Sequence, residues 1–78
     1  MNKETIKAYL DGLLSDNLLD YDGDGVYLRF ERRSIFRVTL GTDALVCFEQ
    51  ERMRPNECRE ALPYNEKTLT RLRSRLGS

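Results

Sequence analysis

The chain reads as a small α+β protein in two layers, with an N-terminal helix, a three-stranded antiparallel meander and one or two C-terminal helices. Three observations lead to that class. Apolar residues recur at the helical period near both ends, at Ile6, Leu10, Leu13 and Leu14 and again at Leu69, Leu72 and Leu76. Between residues 26 and 50 the period drops to two, and the residues turn β-branched and aromatic. The stretches joining those runs are as short as hairpin connections. Helices laid on one face of such a meander close a core.

The first helix is expected over residues 3–14, with Asn2 as its cap and Ser15, Asp16 and Asn17 breaking it. Leu18, Leu19 and Tyr21 are placed to add a short strand. Three longer strands follow. Val26, Leu28 and Phe30 alternate with Tyr27, Arg29 and Glu31; Phe36, Val38 and Leu40 alternate with Ile35, Arg37 and Thr39; Ala44, Val46 and Phe48 alternate with Leu45, Cys47 and Glu49. Residues 31–34 and 41–43 make the hairpin connections. The expected result is a meander with one apolar face. Pro55 suits the first turn of a short helix over residues 56–62, which Pro63 ends. Asn65 caps a last helix over residues 66–76, and Gly77 stops it.

Seventy-eight residues make one domain, residues 1–78. A chain of this size buries about 60% of its unfolded surface, which suffices for one small core. The net charge is zero but unevenly placed. Residues 1–25 hold two Lys against six acids, net −4, and residues 26–78 hold eleven basic groups against seven acids, net +4. Such a chain can present an acidic face to one partner and a basic face to another. Ten of the thirteen basic residues are Arg, the side chain whose fork fits carboxylate and phosphate. There is no apolar run long enough for a membrane span and no signal-peptide core. Cys47 and Cys58 match no zinc spacing. The expectation is a reducing, cytoplasmic setting with both thiols free and packed as small apolar groups.

The segment DYDGDGVYLRFE, Asp20 to Glu31, follows the D-x-D-x-D-G-x5-E pattern of an EF-hand calcium loop. Its surroundings do not. Of the positions where an incoming EF-hand helix buries apolar residues, here Leu19, Asp16, Ser15 and Gly12, only Leu19 fits. The segment that would be the outgoing helix, RRSIFRVTL, has a strand period. In a strand, Glu31 stands about 20 Å from Asp24, too far to close a cage. The expectation is a turn that launches the first long strand, with no metal and no cofactor.

Catalysis finds little to work with. The chain has no His to activate a Ser or Cys, no glycine-rich phosphate loop, and acids gathered in one turn-rich segment. The expectation is therefore a non-enzyme that acts by binding. Asp20, Asp22 and Asp24 form one candidate contact patch, dense enough in negative charge to occupy a basic groove. Arg29 and Arg37, expected together on the outer sheet face, form another. Lys67, Arg71 and Arg75 fall at i, i+4 and i+8 of the last helix, opposite its leucines, and with Thr70 make a candidate nucleic-acid contact.

Two segments resemble known families. Ala61 to Gly77 resembles the turn and recognition helix of helix-turn-helix regulators through Leu62, Asn65, Thr68, Leu69, Arg71 and Leu72. That resemblance implies that Glu66, Lys67, Thr70 and Arg71 face a DNA major groove. Ile6 to Phe48 is similar to the first half of class I type III secretion chaperones through Leu13, Leu18, Asp22, Gly25, Val26, Leu28 and Phe30. It implies a non-catalytic dimer whose apolar strands hold an unfolded segment. In size and charge layout alone the chain is similar to phage anti-defence proteins, including anti-CRISPR proteins. The leading expectation is a small inhibitor or adaptor that occupies a surface of a larger protein or complex, as a monomer or homodimer. A DNA-binding regulator and a chaperone-like dimer are the alternatives.

Overall fold

In the computed structural model, which describes residues 2–54 and 56–77, two helices flank a five-stranded sheet. Helix α1 spans Lys3–Ser15 and helix α2 spans Glu66–Leu76. Strands β1 (Asp20–Tyr21), β2 (Val26–Phe30), β3 (Ser34–Leu40), β4 (Leu45–Glu51) and β5 (Glu57–Leu62) pair antiparallel in sequence order. The α+β class holds, with five strands in place of three.

Both helix ends form where their cap residues stand. The Asn2 side chain accepts from the Thr5 N–H, and the Asn65 side chain accepts from the Thr68 N–H at 2.9 Å. Gly77 closes α2 in the left-handed conformation, φ 73°, and its N–H donates to the Arg73 carbonyl. The helix expected over residues 56–62 is instead strand β5. Pro55, read as opening it, lies outside the described residues. The alternation of Cys58, Glu60 and Leu62 against Glu57, Arg59 and Ala61 has a strand's period, and pairing with β4 from Leu45↔Leu62 to Gln50↔Glu57 satisfies the backbone. Tertiary pairing outweighed a local helix signal.

Ile6, Leu10 and Leu13 of α1 and Leu69, Leu72 and Leu76 of α2 are buried with Leu19, Tyr27, Phe36, Val38 and Leu45. The strand residues in that set share one sheet face, since Tyr27 pairs with Val38 and Leu40 with Leu45. This corrects the expected face. Val26, Leu28 and Phe30 lie on the side opposite Phe36, Val38 and Leu40, as do Val46 and Phe48. Tyr27 takes the inward place in β2 because its hydroxyl donates to the Asp11 carboxylate at 2.5 Å while its ring fills the core. No helix among the described residues is long and apolar enough to cross a membrane.

Candidate functional site

The turn between β1 and β2 is built by the Asp-Gly-Asp-Gly run. Asp22 Oδ1 accepts from the Asp24 N–H at 2.7 Å and the Val26 N–H at 3.1 Å, and Gly23 and Gly25 adopt φ of 89° and 93°. Glu31, which would have to close a calcium cage, points to the other end of the molecule, where Arg75 grips it through two bonds of 2.8 and 2.9 Å. The segment is a turn whose own carboxylate holds its backbone. Asp20, Asp22 and Asp24 are all exposed, Asp20 in the edge strand β1 and the other two in the turn that follows it, an acidic rim on the β1 side of the sheet.

Arg29 and Arg37 do not form one patch. Arg29 pairs across from Phe36 on the helix-covered face, where it donates to the Leu18 carbonyl at 3.1 Å and the Leu76 carbonyl at 3.0 Å. It ties the end of α2 to the sheet, a favourable place for a cation. Arg37 lies on the opposite face, paired with Leu28 on one side and Phe48 on the other.

The basic stripe of α2 is largely neutralised. Arg71 makes a two-pronged contact with Glu60, at 2.8 and 2.5 Å, and Arg75 binds Glu49 as well as Glu31. Arg75 also stacks over Phe36, 4.5 Å from the ring centre. These contacts draw Arg75 onto the sheet, about a third exposed, whereas Arg71 stays exposed while paired, as do Lys67 and Thr70. Glu57–Leu62, where a helix-turn-helix would place its first helix, is a strand. A cavity of about 590 Å³ lies between α2 and strands β4 and β5, lined by Phe36, Cys47, Cys58, Leu62, Arg71 and Leu72 among others. Cys47 is half-buried there, and desolvation raises its thiol pKa, which lowers its reactivity. Cys58 is exposed, contrary to the packed position expected for it.

The most open chemistry lies on the sheet face that neither helix covers. One row across it reads Asp20, Leu28, Arg37, Phe48, Arg59, and a second reads Val26, Thr39, Val46, Ala61. Phe30, Ile35, Gln50 and Glu57 make a third. A shallow concavity of about 300 Å³ sits on this face, lined by Asp22, Val26, Leu28, Arg37, Phe48 and Arg59 among others. Arg37 stacks 4.1 Å from the Phe48 ring centre and Arg59 approaches the same ring at 5.7 Å. Arg52 lies 5.6 Å from the ring of Phe30, which is 55% exposed.

The sequence reading missed Leu28, Val46, Phe48 and Arg59 as surface residues. In β4 both alternating sets are apolar, Val46 and Phe48 against Leu45 and Cys47, so period alone assigns neither to the core. Arg59 was hidden in the segment read as a helix. The one available signal was the pair of Tyr27 with an acid on the preceding helix, which would have set the parity of β2. No family model, curated protein or solved structure matches the chain.

Proposed function

We propose that this protein is a non-catalytic binding module, a small inhibitor or adaptor that docks the open face of its sheet on a larger protein. The observation that carries this reading is the one-sided packing. Both helices lie on one face, leaving Val26, Leu28, Phe30, Ile35, Val46 and Phe48 on the other, interleaved with Arg37 and Arg59. Contiguous apolar residues rimmed by polar ones mark an interaction surface. Aromatic and Arg side chains are those that anchor interfaces. The acidic rim of Asp20, Asp22 and Asp24 borders the face and adds a second charge sign for orientation. The raised Cys47 thiol and the absence of His in the sequence support a binding role over a catalytic one. The anti-defence form of the reading rests on size and charge layout alone.

A photocrosslinking residue placed at Thr39, on the open face, tests this against the same residue at Lys67, on the outer side of α2. Capture of a protein from Thr39 and not from Lys67 is expected. Capture from Lys67 alone would sink the reading, and a crosslink from there to duplex DNA would promote the regulator alternative.

A further inference from the structure

Resting on the open face as the docking surface, we propose that its occupant is an acidic segment of another protein. This segment carries Asp or Glu among aliphatic or aromatic side chains and sets its carboxylates on Arg37 and Arg59, to either side of Phe48.

The charge layout carries this step. On the helix-covered side and its flank, four cations meet internal acceptors: Lys7 meets Asp11, Arg71 meets Glu60, Arg75 meets Glu31 and Glu49, and Arg29 meets two carbonyls, while Lys3, Lys67 and Arg73 on the outer helix surfaces have no carboxylate within ion-pair distance among the described residues. On the open face the guanidiniums stand among apolar side chains and are left without such acceptors. Among the described residues, Arg37, Arg52 and Arg59 have no carboxylate within ion-pair distance. Arg37 donates one long bond, 3.4 Å, to Gln50 Oε1, and its Nε is buried without a hydrogen-bond partner. A guanidinium offers five N–H donors in a fork that a carboxylate matches. Water can serve the outer N–H groups of both guanidiniums while the face is free; the buried Arg37 Nε is reached by neither water nor a partner. An apolar partner would strip that water, so it must bring its own acceptors or leave charged donors stranded. The face therefore selects for acid among apolar residues and against a purely apolar segment. Asp20 and Asp22 at one rim and Glu57 at another repel carboxylates, which confines them to the row of Arg37, Phe48 and Arg59.

Symmetry argues against a second copy of this chain. Strand β3 is central, so stacking the face on itself about a two-fold axis through β3 sets Arg37 against Arg37. Single-stranded nucleic acid is disfavoured as well. Among the described residues the face offers two rings, Phe30 and Phe48, and the better placed, Phe48, already carries Arg37.

The test uses the full chain, isotope-labelled for amide NMR, with three probes: a ten-residue peptide alternating Leu and Glu, its Leu and Gln counterpart, and a ten-nucleotide thymidine oligomer. Sedimentation of the free chain runs alongside. The Glu peptide is expected to shift the amides around Arg37, Phe48 and Arg59. Its affinity should fall about tenfold in Arg59→Gln, an exposed site that leaves the fold intact, and similarly in Arg37→Met. Equal binding of the Gln peptide would overturn the acidic partner while leaving the open-face reading standing. Preference for the oligomer, or self-association that Phe48→Glu abolishes, would overturn it in favour of nucleic acid or a second copy. No shift on this face with any probe, and no self-association, would overturn both the acidic partner and the docking surface.

Discussion

Arg75 shows how one side chain can be claimed by the fold although its sequence position advertises a ligand. At i+8 from Lys67 it looked like the end of a phosphate-binding stripe. It instead joins α2 to Glu31 and Glu49 and lies over Phe36. The Arg75 guanidinium lowers the Glu31 pKa from its ordinary 4.5 to about 2. The sign follows from that direction. A carboxyl with a depressed folded pKa adds stability above its unfolded pKa and loses it as pH falls from about 4.5 through about 2. Both partners are about a third exposed, so the contribution is about 1–2 kcal/mol after solvent screening. Glu31→Gln should therefore be less stable than the natural chain at pH 7 by that amount, with the gap closing near pH 2. Urea melts of the two proteins at pH 7, 4 and 2 check it. Asp11, whose pKa is also lowered, is common to both and cancels in the difference. A gap that stays constant down to pH 2 would show that the ion pair adds nothing.

At the scale of elements, the helices were legible because their signals are local. Asn2, Asn65 and Gly77 sit where caps belong, and the leucine spacing alone places the buried stripe. The strands' existence was legible too, but not their facing. Parity in β2 and β4 depends on which of two apolar sets meets the helices, a question no window of ten residues contains. β5 failed for a different reason. A prolyl start signal pointed to a helix, while an edge strand's value comes from β4, its neighbour in space. The β3–β4 hairpin carries a sharper constraint that the sequence only hinted at. A Cβ added to Gly41 would stand 2.6 Å from the Ala44 carbonyl oxygen, and the Tyr64 hydroxyl lies 2.5 Å from the Gly41 carbonyl and 2.9 Å from that of Ala44. The tyrosine pins the turn from the segment that enters α2. Gly41→Ala must open the turn against that pin and should cost about 1–3 kcal/mol, a drop of about 4–8 °C in Tm per kcal/mol for a domain this small. Thermal melting followed by circular dichroism measures it, and an unchanged Tm would mean the turn yields freely.

For the whole molecule, what matters is which side of the sheet is interior, because the candidate site is defined by being the other side. The alternating pattern made the acidic rim visible and made Arg37 a surface candidate, but it joined Arg37 to the wrong companion and set Phe48 on the inward, apolar face. Paired truncations decide the matter independently of any partner. Leu45 is fully buried beneath the helices, whereas Leu28 lies on the open face beside Arg37. Leu45→Ala removes core packing and should cost about 3 kcal/mol, a large fraction of the stability of a 78-residue chain. Leu28→Ala removes surface contacts only and should cost less than about 1 kcal/mol. Denaturant midpoints at constant slope read both. Equal losses would mean that both faces are covered in solution, by a second copy or a rearranged helix, and the open face would cease to be a docking surface. A large loss at Leu45 with little at Leu28 would leave the apolar side chains around Arg37 and Phe48 without a role in folding, which is the condition under which they serve a partner.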